Sequence, residues 1–238
     1  MHNNFIKNDG VSVVDVNTKG NRDLEEITPI TYKLNSGITL SFTNHLDCGG
    51  TSGYEEFGNL VSKYKTKNKY NRCFEWCAGL GAFGFHMYGL DLCETIVFND
   101  YYEFATSMCK KTALDNNIAD KVTVYTTANI SNIPTTEKYD LVIGNPPHVW
   151  EPILFENDNS PDEKDKMNLT RCLVDYNMET HNKFFTHIRD YITDDADLFI
   201  VENDHRYVED WAKLAKLVVV NKIKMYSELW HLIHYKPK

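Results

Sequence analysis

The sequence predicts an α/β protein built on a doubly wound, mostly parallel sheet. Three observations carry that prediction. From Arg72 onward, short apolar strands alternate with segments of helical periodicity. A glycine-rich loop, Cys77-Ala78-Gly79-Leu80-Gly81-Ala82-Phe83-Gly84, falls at the first strand-to-helix junction of that series. The apolar run at 139–144 stops at Asn145-Pro146-Pro147-His148. Proline has no N–H and a fixed φ, so two in succession end a strand and stiffen the turn that follows.

Taken in order, residues 1–35 are polar with little periodicity and read as a loosely structured arm, with one short strand near 11–16. Residues 38–42 alternate apolar and polar, as a strand does. Asp47-Cys48-Gly49-Gly50-Thr51-Ser52-Gly53 reads as a loop that permits close backbone approach, and 54–65 as a helix. The alternating series then begins. Strands are expected at 73–76, 95–99, 122–126, 139–143 and 197–202. Helices are expected from Ala82, around Phe104, Met108 and Cys109, along the stripe Phe184, Phe185, Ile188 and Ile192, and over 208–217. Residues 218–225 and 229–235 suggest a closing antiparallel hairpin. The division expected is an extension over 1–70 and a main domain over 71–238. The acidic connection at 149–176 is longer than compact domains use, which fits either a lid or an inserted loop.

Composition narrows the function classes. With 238 residues, 42% hydrophobic and 13% aromatic, the chain can bury a sizeable core. It has no apolar run long enough to span a membrane, and its N-terminus lacks the basic and apolar blocks of a signal peptide. The six cysteines form no CxxC pair and the nine histidines no cluster, so a reducing cytoplasm and no metal are expected. Net charge is −9, which argues against a broad phosphate-binding surface. The run Lys63, Lys65, Lys67, Lys69 and Arg72, interleaved with Tyr64 and Tyr70, reads as a solvated connector or a local contact for nucleic acid or an acidic partner.

The glycine-rich loop suits a cofactor containing adenosine. Glycines let the backbone approach a ligand, and Asp100, at the end of the next strand, can accept hydrogen bonds from ribose hydroxyls. The spacing Gly79-x-Gly81-x-x-Gly84 formally matches a dinucleotide loop, which keeps an NAD-linked oxidoreductase open. Glu75 argues against it. A carboxylate at the strand end repels a pyrophosphate and suits a cationic amino-acid moiety.

Glu75-Trp76-Cys77-Ala78-Gly79-Leu80-Gly81, Asp100 and Asp140-Leu141-Val142-Ile143-Gly144-Asn145-Pro146-Pro147-His148 together resemble class I S-adenosylmethionine-dependent methyltransferases. The likeness is to the group that methylates nitrogen through an Asn-Pro-Pro-aromatic motif, and it covers about residues 72–235. It implies a Rossmann-like seven-stranded sheet and S-adenosylmethionine as cofactor. Glu75, Cys77, Gly79, Gly81 and Asp100 would hold the cofactor, with Asn129 offered to adenine in place of the family's usual acid. Asn145, Pro146, Pro147 and His148 would form the catalytic turn, with His148 where the family has Tyr or Phe. The implied acceptor is a planar amino or amide nitrogen. An exocyclic base amine of RNA or DNA stands slightly ahead of a protein glutamine amide. A cofactor-binding protein without turnover is the reading of a different class.

Overall fold

The computed structural model describes residues 30–43, 46–47, 50–136, 138–149, 172–203, 207–225 and 229–238. A hairpin of β1 (Ile30–Lys33) and β2 (Thr39–Phe42) comes first, followed by α1 (Gly50–Tyr64). The main sheet has seven strands: β3 (Tyr70–Trp76), β4 (Cys93–Asp100), β5 (Val122–Thr126), β6 (Tyr139–Gly144), β7 (Ile192–Glu202), β8 (Leu217–Lys224) and β9 (His231–Pro237). Their spatial order is β5-β4-β3-β6-β7-β9-β8. The first five are parallel, and β9 runs antiparallel to both β7 and β8. Helices α2 (Ala82–Gly89), α3 (Glu103–Asp115), α4 (Glu179–His187) and α5 (Val208–Leu214) cover the two faces.

The period of two along each strand assigns its side chains to alternate faces. Leu141 and Ile143 join one buried cluster with Phe57, Phe83 and Phe85, while Val142 joins another with Phe184, Phe185 and Trp211. Phe199 and Val201 of β7 face the first cluster, and Leu198 and Ile200 the second. Both faces are covered, which is why the central strands read as unbroken apolar runs. Strand order reverses between β3 and β6, and ligands of such sheets bind beyond the carboxyl ends at that point.

Several boundaries differ from the sequence reading. Ile30–Lys33 is a strand, not part of a loose arm: Ile30 and Thr31 lie opposite Phe42 and Ser41, and the pairing supplies order that the mostly exposed side chains do not advertise. Helix α1 begins at Gly50, so most of the loop expected at 47–53 is helical. The Asp47 carboxylate accepts from the Thr51 backbone N–H at 2.8 Å and from the Thr51 hydroxyl, a side-chain cap for the first turn. The stripe through Ile188 and Ile192 breaks after His187: Ile188–Tyr191 is a 3₁₀ turn, and Ile192 opens β7. Helix α5 stops at Leu214, and Lys216 adopts φ 54° before Leu217 starts β8. The strand expected at 11–16 and most of the 149–176 connection lie outside the described residues.

The basic run lies at the amino edge of β3, the opposite edge from the glycine loop. Lys67 pairs with Asp140 at 3.2 Å and Asp195 at 2.9 Å; Lys69 pairs with Asp91 and with Glu94 at 2.7 Å. The Arg72 guanidinium lies 5.7 Å from the Tyr139 ring centroid. These three cations are occupied by the protein's own groups, which favours the connector reading.

Candidate active site

The site begins where β3 ends. Glu75 is buried at the strand's end, and its Oε2 accepts the Gly84 N–H at 2.7 Å. A Cβ on Gly84 would lie 2.5 Å from that oxygen, so only glycine leaves room for the bond. Burial, reinforced by the charge of Asp100 and opposed by the Gly84 N–H, pushes the Glu75 carboxyl up to about 8. Cys77 follows with φ 54°, a left-handed conformation that costs a non-glycine residue about 1–2 kcal/mol. Its thiol is pushed well up by burial and by the carboxylates of Asp100, Asp175 and Glu75, so it is not poised as a thiolate nucleophile.

Strand β4 positions the second acid. The two oxygens of Asp100 accept the backbone N–H of Gly79 at 2.9 Å and of Tyr102 at 2.9 Å, tying the glycine loop to the start of α3. The Ala78 N–H donates to the Asn99 carbonyl at 3.0 Å, which closes the loop against β4.

Strand β6 delivers the Asn-Pro-Pro-His turn beside this loop. His148 is buried, and its Nε2 lies 3.0 Å from Asn145 Oδ1. Its ring stands edge-on to Trp230, with centroids 4.7 Å apart. Val149 continues the turn by bridging Val174: its N–H donates to the Leu173 carbonyl at 2.8 Å, and its carbonyl accepts from Asp175 N–H at 2.7 Å. Asp175 in turn caps α4 by accepting from Thr180 N–H at 2.8 Å and His181 N–H at 3.0 Å. The turn is thus held from both sides, by β6 and by the entrance to α4.

These groups line one cavity of about 460 Å³, within the range of small-molecule sites. Glu75, Cys77, Gly79, Asp100, Asn145, Pro146, Pro147 and His148 all border it. Gly81 and Asn129 stand apart from the lining. At Gly81, with φ 72°, a Cβ would meet Phe98 at 2.8 Å, so the residue serves loop packing. Asn129 Oδ1 accepts the Ser131 N–H at 3.0 Å and caps a 3₁₀ turn; Thr127 and Ala128 face the cavity instead. The sequence reading missed Asp47, Trp76, Asp175 and Trp230, all of which contribute to the wall. Of these, Asp47 and Asp175 carried a legible signal, each as an acidic cap before a helix.

No protein-family model and no curated protein matches the chain. Solved structures do. A ribosomal protein L11 methylase from Lactobacillus delbrueckii superposes with a TM-score of 0.53 at 12% identity, covering 84% of this chain and 82% of that one. An S-adenosylmethionine-dependent methyltransferase from Clostridium acetobutylicum gives 0.54 at 10% identity over 77% and 92% of the two chains. The fold is the Rossmann-like methyltransferase fold. The tRNA methyltransferase TrmK of Bacillus subtilis shares it, with a TM-score of 0.54 at 8% identity over 77% and 66%. Within the methyltransferase fold of this chain, the cavity lies at the carboxyl ends of β3, β4 and β6. No helix among the described residues is long and apolar enough to cross a membrane.

Proposed function

We propose that the chain is an S-adenosylmethionine-dependent N-methyltransferase acting on a planar nitrogen, with an exocyclic amine of RNA or DNA as the preferred acceptor. The observation that carries this reading is the meeting of two strand-end acids and one Asn-Pro-Pro turn in a single cavity. Glu75 offers a buried carboxylate for an ammonium, Asp100 places a second carboxylate on the cavity wall where ribose hydroxyls would lie, and the loop between them lies close to the cavity. The same carboxylates disfavour a pyrophosphate, and with it the NAD-linked alternative.

Bound S-adenosylmethionine would supply an electrophilic methyl group on a sulfonium centre. The chain's own part is to position the acceptor. An amine conjugated to a ring or carbonyl is a poor nucleophile, because its lone pair is delocalised. Asn145 Oδ1 and the Pro146 carbonyl would each accept one of its hydrogens, favouring a pyramidal nitrogen with its lone pair free. Oδ1 can do so while His148 Nε2 still donates to it, because a carbonyl oxygen has two lone pairs. Proline at 146 and 147 leaves no backbone N–H to compete for those acceptors. The work is orientation and fixed dipoles; no strong base is needed. The ring of His148, expected to stack on the acceptor, faces Asn145 with one nitrogen and Glu202 with the other, which suits it to holding the turn.

A glutamine amide of a protein is the second reading. The basic run that favoured nucleic acid sits at the far edge of the sheet with Lys67 and Lys69 internally paired, and the L. delbrueckii relative in fold is a ribosomal protein methylase. The B. subtilis relative, a tRNA methyltransferase, supports the first. Incubation with methyl-labelled S-adenosylmethionine and separate pools of RNA, DNA and ribosomal protein decides between them. Label in RNA or DNA is expected; label in protein alone selects the amide, and label in none overturns the enzymatic reading. Thermal shift with S-adenosylmethionine against NAD tests the cofactor.

A further inference from the structure

Behind the cavity wall, three side chains from three separate elements converge. His148 follows the Asn-Pro-Pro turn, His181 lies in the first turn of α4, and Glu202 ends β7. All three are buried, with relative exposures of 5%, 0% and 2%. His148 Nδ1 lies 3.7 Å from Glu202 Oε2, and His181 Nε2 lies 3.4 Å from Glu202 Oε1. One donor atom from each residue lies within 4.8 Å of the other two. Among the described residues, His148 Nδ1, His181 Nε2 and Glu202 Oε1 have no hydrogen-bond partner. Orphaned polar atoms inside a protein are rare, and three aimed at one point call for a common partner.

The far side of each ring supplies a second, independent observation. His181 Nδ1 sits 2.6 Å from Asp175 Oδ2, and His148 Nε2 sits 3.0 Å from Asn145 Oδ1. With the N–H on the outer nitrogen facing each acceptor, the inner nitrogen of each ring would offer its lone pair to an ion. That is the arrangement by which outer partners orient metal-ligating histidines. The rings cannot easily turn away. Trp211 stacks on His181 with centroids 4.5 Å apart, Trp76 meets it edge-on at 5.2 Å, and Trp230 holds His148.

We infer that His148, His181 and Glu202 form a binding site for a divalent metal ion, and that the ion is zinc. Two imidazole nitrogens and one carboxylate oxygen are a donor set that zinc accepts, with a fourth position left for water. Bonds of about 2.0–2.1 Å in a tetrahedral site place ligand atoms about 3.4 Å apart. His181 Nε2 and Glu202 Oε1, 3.4 Å apart, already stand at that edge, and one donor atom from each of the three residues lies within 4.8 Å of the other two. Charge agrees as well. Against burial, the two carboxylates favour a proton on His181 in the metal-free protein; a dication that displaces it leaves both rings neutral and balances the −2 of Asp175 and Glu202. His148 also borders the cavity, which gives the ion a way in.

This site goes beyond the methyl-transfer reading and does not depend on it. Zinc on His148 Nδ1 would polarise the Nε2–H that holds Asn145 Oδ1, so the ion would act as a positioning group for the turn. The test is direct. Tag-free protein purified without chelator should carry about one zinc per chain by elemental analysis. After chelator treatment and dialysis, titration with Zn²⁺ should restore one equivalent and raise Tm, and Co²⁺ in its place should give the visible absorption of a four-coordinate site. Glu202→Gln and His181→Gln, each checked for fold by circular dichroism, should lower zinc affinity at least about 100-fold. Wild type that binds less than one-fifth of an equivalent, with no shift of Tm in excess Zn²⁺, overturns the site. So does full stoichiometry retained in both folded variants. These readouts involve no methyl transfer, so they can fail or succeed whatever the labelling experiment returns.

Discussion

The imidazole of His148 and the carboxamide of Asn145 are joined across the Asn-Pro-Pro turn, Nε2 to Oδ1 at 3.0 Å. The bond orients the one acceptor atom of Asn145 that the proposed reaction uses. Removing a preorganised hydrogen-bonding group from a reacting centre costs about 10²–10³ in kcat. Asn145→Ala is therefore expected to lose turnover by that factor while S-adenosylmethionine still binds. His148→Phe keeps a ring and removes one hydrogen bond, worth about 0.5–1.5 kcal/mol, so a loss of about two- to tenfold is expected if orientation is all it provides. Calorimetry beside single-turnover kinetics checks both. Lost cofactor affinity with intact turnover in Asn145→Ala would remove Asn145 from the acceptor role.

As the proposed partner of the cofactor's ammonium, Glu75 is expected to give binding a pH dependence. Its carboxyl is raised to about 8 in the free protein, first by burial and then by Asp100. An ammonium ligand needs the ionised form. Binding at pH 6 should therefore release a proton from Glu75, and S-adenosylmethionine affinity should tighten by up to about tenfold per pH unit between 6 and 8. The stability sign runs the other way. A raised carboxyl favours the fold most below its unfolded value, and that contribution is lost as pH climbs toward 8. Calorimetry in buffers of different ionisation enthalpy reads the released proton. Glu75→Gln should flatten the affinity profile; an unchanged slope in that variant would place the titration elsewhere.

The sheet and most of its elements were legible because both faces are covered and the strands run apolar without interruption, as in residues 139–144 and 197–202. The strand-end acids were legible for a related reason: a charged residue closing an apolar run at a sheet's carboxyl edge has few structural uses. Glu75 and Asp100 were read that way. Glu202 obeys the same rule and was passed over because no glycine loop follows it. His181 could not be read. It lies in an amphipathic helix where any buried ring looks like core, and its partners are brought to it from residues 148, 175 and 202 only by folding. The expectation of no metal rested on ligand spacing along the chain, which is a local signal, whereas the donor set proposed for zinc is tertiary. Asn129 was placed at the right strand end, but a 3₁₀ turn claims its side chain.

Cys77 stands at φ 54° where glycine is common among proteins with the resembling motif. Cys77→Gly removes the left-handed strain, at the cost of a more flexible unfolded chain and the lost sulfur contacts. Cys77→Ala loses the contacts and keeps the strain. Strain of about 1–2 kcal/mol less an entropy cost of about 0.5–1 leaves the glycine variant ahead of the alanine variant by about 1 kcal/mol, or roughly 2–4 °C in Tm. Thermal unfolding of the pair reads the difference. An alanine variant as stable as the glycine one would mean the loop relaxes out of this conformation when the thiol is removed.

Asp197 is the buried anchor of the opposite edge of the sheet. Its carboxylate accepts from Thr66 N–H at 3.0 Å, the Thr66 hydroxyl at 2.6 Å and the Tyr70 hydroxyl, and it meets His234 Nε2 at 2.7 Å and Lys236 Nζ at 3.1 Å. Burial alone would raise its carboxyl, but His234, Thr66 and Tyr70 together hold it well below the ordinary range. A depressed carboxylate contributes stability above its unfolded value of about 3.9 and surrenders it as pH falls through the folded one. Wild type should thus lose stability steeply below about pH 4. Asp197→Asn removes the charge but preserves the shape, leaving the Lys236 ammonium without its buried partner. It should cost about 3 kcal/mol or more at pH 7, roughly 6–12 °C in Tm, and should flatten the acid limb. Denaturant unfolding of both proteins between pH 2 and 7 measures this directly. Parallel curves would show that Asp197 is not the group whose protonation unfolds the sheet in acid.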